Sequence, residues 1–245
     1  MKLLGNGRRK NILKMKKLNC SNNNADEWNN SFKKKDNFLF YPHEEVIRFV
    51  NKYLSKRTSY NENVSLKQDL MMLDLGCGIG RHVVYGNENN IDTYGFDLSQ
   101  EAINYAKKFA RHRGVTGVDQ RFFVSDARSL PWDNQTFDAV ISHGTLDSMP
   151  YEIAKSSITE LYRVTKNESL FYCDLITSED GSEDKEIEIV STHENGTIQS
   201  FFSESKITDL FNNIFDIVEM NLIHRVNRIT EDCTSRWHLV LKRIG

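Results

Sequence analysis

Between residues 70 and 174 the chain alternates between two kinds of segment. Short apolar, β-branched runs occupy Leu70 to Leu75, Thr93 to Phe96, Arg121 to Val124, Phe137 to Ser142 and Ser169 to Asp174. Their short, continuous apolar character predicts strands buried on both faces. Helical periodicity fills the gaps. The clearest helix starts after Ser99, an N-cap residue type, presents Ala102, Ile103, Ala106, Phe109 and Ala110 on one face, and stops at Gly114. A second runs from about Tyr151 to Val164 around Ile153, Ile158, Leu161 and Tyr162. Strand and helix in this alternation predict a parallel sheet covered on both sides.

The flanks read differently. From Pro42 to about Arg57, Val46, Ile47, Phe49, Val50, Tyr53 and Leu54 recur at helical spacing, with Pro42 suited to a first turn. The polar residues from Thr58 to Gln68 then predict a linker. Beyond the central region, Ser203 to Asn212 predicts a helix around Ile207, Leu210 and Phe211. Phe215 to Ile223 and Arg236 to Lys242 predict two strands, separated by a polar turn containing Thr230, Glu231 and Asp232. Strands joined so closely pair antiparallel, so a hairpin is expected to close an otherwise parallel sheet.

Composition narrows the picture modestly. Thirty-two basic and 34 acidic residues give a net charge of −2, without the basic excess that duplex nucleic acid demands. Lys2, Arg8, Arg9, Lys10, Lys14, Lys16 and Lys17 precede the first acid, Asp26. Residues 1–30 are expected to be a solvated, disordered basic and Asn-rich tail, with a recruiting arm or a targeting peptide as the alternatives. Residues 31–69 then form a helical cap and linker, and 70–245 the main domain. Cys20, Cys77, Cys173 and Cys233 lie far apart, which predicts neither a metal site nor a disulfide framework. With no signal-peptide pattern and no apolar run near the roughly 20 residues that span a bilayer, the expected location is the cytoplasm.

The chemistry concentrates in Leu73-Asp74-Leu75-Gly76-Cys77-Gly78-Ile79-Gly80. A buried strand ends in an acid and then in alternate glycines, so a ligand can approach bare backbone. Tyr94-Gly95-Phe96-Asp97 is a second strand ending in an acid, at the distance expected for a group that binds ribose hydroxyls. Together they predict a nucleoside cradle. A dinucleotide site needs G-x-G-x-x-G, and the third position here is Arg81, so a nicotinamide-dependent reductase recedes.

From about Leu70 to Arg243 the ordered segments resemble the class I S-adenosylmethionine-dependent methyltransferases. Asp-Leu-Gly-Cys-Gly-x-Gly resembles their first motif, Phe96-Asp97-Leu98-Ser99 the second, and Ser125-Asp126-Ala127 the third. Leu130-Pro131-Trp132 with Phe137-Asp138-Ala139-Val140, and the closing Trp237-His238-Leu239-Val240-Leu241, are similar to the family's later strands. The resemblance implies a Rossmann-like, doubly wound, seven-stranded and mainly parallel α/β sheet with a C-terminal antiparallel hairpin. It implies S-adenosyl-L-methionine as cofactor, with Gly76, Cys77, Gly78 and Gly80 forming the turn at its methionine end and Asp74 ordering the ammonium. Asp97 takes the ribose, Leu98 one adenine face, and Asp126 with Ala127 the adenine edge.

The family's adenine- and glutamine-amino enzymes carry Asn or Asp before two prolines and an aromatic residue. This chain has Ser142-His143-Gly144-Thr145-Leu146-Asp147 instead, which argues against those substrates. His143, at a strand end over the cofactor, either acts as general base on a hydroxyl or packs on the methionine end without moving a proton. Asp147 and His193 are further base candidates. Trp28 or Tyr41 could belong to a lid, and the polar insertion from Thr177 to Gly196 could cover the acceptor or be plain loop. The expected activity is methyl transfer to a small-molecule hydroxyl or amine of a sugar or metabolite. A protein or RNA methyltransferase, or a silent cofactor-binding partner subunit, are the alternatives, and the oligomeric state stays open.

Overall fold

The computed structural model describes residues 24–245 apart from 36, 60, 61, 179, 180 and 191–193. It begins with α1 (Ala25–Lys34), whose first turn holds Asp26 and Glu27 and whose last holds Lys33 and Lys34, each sign matching the helix dipole. This helix occupies part of the expected tail, residues 1–30, because Trp28 and Phe32 find an apolar surface to cover. The basic stretch from Lys2 to Lys17 lies outside the described residues. Next comes α2 (Glu44–Phe49), capped by His43, whose Nδ1 accepts from the Glu45 N–H at 3.3 Å. One π turn over Val50–Leu54 extends it, and Ser55 is already extended backbone.

Here expectation and structure part. The helix ends at Leu54 rather than Arg57, and the supposed linker contains a small antiparallel hairpin of β1 (Ser55–Ser59) and β2 (Glu62–Ser65). Its side chains are mostly exposed, so no burial pattern announced it in the sequence.

The main domain follows as β3 (Met71–Leu75), α3 (Arg81–Glu88), β4 (Asp92–Asp97), α4 (Gln100–His112), β5 (Phe122–Val124) and β6 (Phe137–Ser142). It continues with α5 (Tyr151–Val164), β7 (Thr165–Thr177), the short antiparallel pair β8 (Glu186–Glu188) and β9 (Ile198–Ser200), α6 (Glu204–Phe211), β10 (Phe215–Val226) and β11 (Cys233–Arg243). The Ser99 hydroxyl accepts from the Ala102 N–H at 3.1 Å to start α4, and Gly114, at φ +77°, follows its end. Both signals worked as the sequence predicts.

Seven strands form the main sheet in the order β10-β11-β7-β6-β3-β4-β5. The pairs joining β7, β6, β3, β4 and β5 are parallel. β11 runs antiparallel to both β7 and β10, so the closing hairpin inserts its last strand inside the sheet. Alternate residues face opposite layers. Leu73, Leu75, Val140, Phe171, Leu239 and Leu241 meet α5 and α6, whereas Met72, Ala139, Ile141, Tyr172 and Val240 meet α2. Among the described residues no helix is long and apolar enough to cross a membrane. The order reverses between β3 and β6, the place where an open α/β sheet leaves a crevice at its strand ends.

Candidate active site

That crevice is a cavity of about 280 Å³. Its floor is the turn from β3 to α3. Gly76 sits at φ +67°, and a Cβ there would overlap Cγ2 and Oγ1 of Thr145 and lie 2.9 Å from its Cβ. The turn is braced from β4, because the Cys77 N–H donates to the Phe96 carbonyl at 2.9 Å and the Gly78 N–H to Asp97 Oδ2 at 2.9 Å. Asp97 Oδ1 accepts from the Ser99 N–H at 2.8 Å. Burial pushes the Asp97 carboxyl up to about 6, partly offset by the N–H groups of Ser99 and Gly78. The carboxylate has about four lone-pair sites, more than these N–H groups use, so it can still accept from a ligand.

Of the residues expected to bind cofactor, Gly76, Cys77, Gly78, Asp97, Leu98, Asp126, Ala127 and His143 line the cavity. Asp126 is forked by Arg128, with Nε at 3.0 Å and Nη2 at 2.7 Å. Asp74 and Gly80 lie behind the wall. A Cβ on Gly80 would come 2.8 Å from the Phe122 ring and 3.1 Å from Ala106, so this glycine lets α3 pack on α4 and β5. Asp74 is buried beneath the turn, its Oδ1 3.7 Å from His82 Nδ1 and its Oδ2 without a hydrogen-bond partner. Burial raises its carboxyl to about 8, with Arg81 pulling the other way.

His143 lies in a cluster that sequence spacing does not reveal. Its ring is 4.1 Å from that of His43 and 5.7 Å from that of His82, and His43 in turn stacks 5.9 Å from His238. Arg81 Nη2 donates to His143 Nδ1 at 3.2 Å, which places the ring proton on Nε2, 3.5 Å from Asp174 Oδ2. Burial lowers His143 to about 2 despite the attraction of Asp174. The His143 Nδ1 is taken by Arg81 and its Nε2 is buried without a hydrogen-bond partner, so as arranged the ring is poorly suited to general-base work. Asp147 is also unsuited, being fully buried against Arg236, with Nη2 to Oδ2 at 2.6 Å. His193 lies outside the described residues.

The cavity has a roof. Trp28 and Phe32 from α1 line it together with Asn37 and Leu39. Asn29 Oδ1 fastens α1 to the start of α4, accepting from the Ser99 hydroxyl at 2.8 Å and the Glu101 N–H at 3.2 Å. Trp28 thus lines the cavity, whereas the Tyr41 side chain is 83% exposed and its carbonyl meets Arg81. The opposite wall is Met149, Pro150 and Ile153, and Glu194 brings the polar insertion to the rim. Gly196 packs on Glu27 of α1, so insertion and roof touch. Among the described residues no group of His, Cys, Asp and Glu is arranged to hold a metal ion.

The family described as a methyltransferase domain matches residues 66–214. Norajmaline N-methyltransferase of Rauvolfia serpentina is 32% identical over 100 residues, covering 40% of this chain and 31% of that protein. An eEF1A lysine and N-terminal methyltransferase homolog of Drosophila pseudoobscura pseudoobscura is 23% identical over 158 residues, covering 61% of this chain and 22% of that protein. The chain spans less than half the length of the first curated relatives it matches. A crystal structure of an S-adenosylmethionine-dependent methyltransferase from Methanosarcina mazei superposes with a TM-score of 0.62 at 21% identity. It covers 73% of this chain and 94% of that one, a likeness of fold.

Proposed function

The chain belongs to the S-adenosylmethionine-dependent methyltransferases, and on that premise we propose that it methylates a small-molecule acceptor, an amine before a hydroxyl, enclosed beneath α1. The observation behind the small size is the roof. Trp28, Phe32 and Leu39 close a cavity of about 280 Å³ whose far wall is apolar. A protein or RNA substrate would have to displace a helix held by Asn29 and by the buried Phe32.

The residues present suit the cofactor. The backbone is bare at Gly78, where a Cβ would meet only the Phe32 ring at 3.5 Å across the cavity, and Asp74 Oδ2 is a buried acceptor without a donor. Gly76, Cys77 and Gly78 would hold the methionine end, with Asp74 acting through water on its ammonium. Asp97 would take the ribose hydroxyls, Leu98 an adenine face, and Asp126 with Ala127 the adenine edge. When bound, the cofactor supplies a methyl carbon on a positively charged sulfur, already an excellent leaving group. What remains for the protein is alignment, and orientation alone contributes up to roughly 7–11 kcal/mol in favourable cases. The cavity walls exclude water and restrict the acceptor's approach.

Amine is preferred over hydroxyl because the two described base candidates are committed elsewhere: His143 to Arg81, and Asp147 to Arg236. A neutral amine brings its own lone pair and releases its proton after transfer. The partial likeness to norajmaline N-methyltransferase agrees with this choice. The partial likeness to the eEF1A methyltransferase homolog favours a protein acceptor as the second reading. Incubating the purified chain with methyl-labelled S-adenosylmethionine and a cell extract, then fractionating by size, separates the two. Label is expected on small amines. Label confined to protein or RNA would overturn the proposal, and label on small-molecule oxygen would overturn its amine part.

A further inference from the structure

The reversed strand β11 brings Arg236 under the loop that leaves β6. Its Nε donates to Asp174 Oδ2 at 2.7 Å and its Nη2 to Asp147 Oδ2 at 2.6 Å. Asp174 Oδ1 accepts from the Gly144 N–H at 2.7 Å, while its Oδ2 faces His143 Nε2. At the other end of the loop, Asp147 Oδ2 accepts from the Ile176 N–H at 2.8 Å. The Asp147 carbonyl accepts from the Ser200 N–H and the Gln199 amide, each at 2.8 Å. One guanidinium thus joins both ends of residues 143–147, and His143, Gly144 and Thr145 of that loop line the cavity.

Stability alone is a poor account of this arrangement. Both carboxylates are buried, and Asp147 Oδ1 has no hydrogen-bond partner. Buried ion groups of this kind commonly stabilise a fold no better than apolar residues of the same volume, and in some proteins they serve to fix position instead. The neighbouring Thr145 touches the space that Gly76 must leave empty, so a shift of the loop would reach the floor directly.

We infer that Arg236 is a positioning residue for the transfer reaction, clamping the 143–147 loop at the height above the glycine turn that the methionine end of the cofactor requires. The inference rests on the cofactor reading of the cavity. The groups facing His143 are Asp174 from β7, Arg81 and His82 from α3, and His43 ahead of α2. Burial pushes the Asp174 carboxyl up, but Arg236 and the Gly144 N–H outweigh it and hold it below the ordinary carboxylate range, so the clamp keeps Asp174 anionic.

The test uses the full chain and two variants, Arg236→Lys and the neutral triad Asp147→Asn/Asp174→Asn/Arg236→Met. S-adenosylhomocysteine affinity is measured by calorimetry well below each variant's melting temperature, so that only folded protein is compared. Because the loop would no longer be held at the height the methionine end needs, affinity is expected to fall at least tenfold in both variants. If the triad folds, its affinity decides, and a value within twofold of the parent overturns the inference. If it does not fold, Arg236→Lys decides by the same criterion. Amide exchange at Gly144 in cofactor-free protein supplies a second readout. It is expected to accelerate at least tenfold in Arg236→Lys. Should the parent chain itself ignore S-adenosylhomocysteine, the cofactor reading fails, and unchanged Gly144 exchange would still overturn the clamp.

Discussion

Replacing Gly76 with alanine tests the floor of the site at its tightest point. The residue has φ +67°, where an L-residue costs roughly 1–2 kcal/mol. The new Cβ would also overlap the Thr145 side chain, and overpacking of this sort typically costs about 1–3 kcal/mol. The sum is about 2–5 kcal/mol, from a stability that is usually only 5–15 kcal/mol. For a chain of this size each kcal/mol lowers the melting temperature by about 2–4 °C, so Gly76→Ala is expected to melt roughly 4–20 °C early. Thr145→Gly provides the partner measurement. Alone it removes the hydroxyl donated to the Leu75 carbonyl at 3.0 Å, worth about 1 kcal/mol. Combined with Gly76→Ala it relieves the overlap and leaves the backbone strain, so the double variant should be more stable than the sum of the two by about 1–3 kcal/mol. Urea denaturation of all four proteins gives the coupling. Strict additivity, or a Gly76→Ala protein within about 0.5 kcal/mol of the parent, would refute the contact geometry described for the turn.

Further expectations follow from individual groups. Ser99→Ala removes the α4 cap and the anchor of Asn29 together, so it should lower stability by about 1 kcal/mol and raise protease cleavage in α1, whereas Asn29→Ala should raise cleavage with a smaller stability loss. His143 is held near 2, below its unfolded value of about 6.5, so its contribution to stability is complete above pH 6.5 and shrinks as pH falls. At pH 5 the parent should therefore have lost about 2 kcal/mol relative to His143→Gln, compared with their difference at pH 8. A parallel pH dependence in the two proteins would contradict the neutral, buried ring. Trp28→Ala opens the roof and should raise KM for the acceptor more than it lowers kcat, and a fall in kcat with KM unchanged would argue that Trp28 acts on the transferring methyl.

The main sheet was legible because buried parallel strands and amphipathic helices leave different periods. Phe137 to Ser142 and Tyr151 to Val164 read in the sequence as they lie in the fold. The acids at the strand tips, Asp74 and Asp97, were legible for the same reason: each ends an apolar run beside glycines. Burial separated their roles, with Asp97 on the wall and Asp74 behind it. The exposed β1 and β2 pair was hidden because polar hairpins and polar linkers share a composition. The four-histidine cluster and the Arg236 clamp were hidden for another reason. The cluster joins the start of α2, α3, the β6 loop and β11, the clamp joins β11, β7 and the β6 loop, and no local spacing records contacts made only when the reversed strand inserts beside β7.

The central claim is that the braced glycine turn and Asp97 form the cradle for an adenosyl sulfonium. Isothermal calorimetry of the full chain with S-adenosylmethionine, repeated with Asp97→Ala, tests it most directly. One-to-one binding by the parent is predicted, with affinity falling at least tenfold in a variant that remains folded. No heat from the parent, or undiminished affinity in Asp97→Ala, would contradict it.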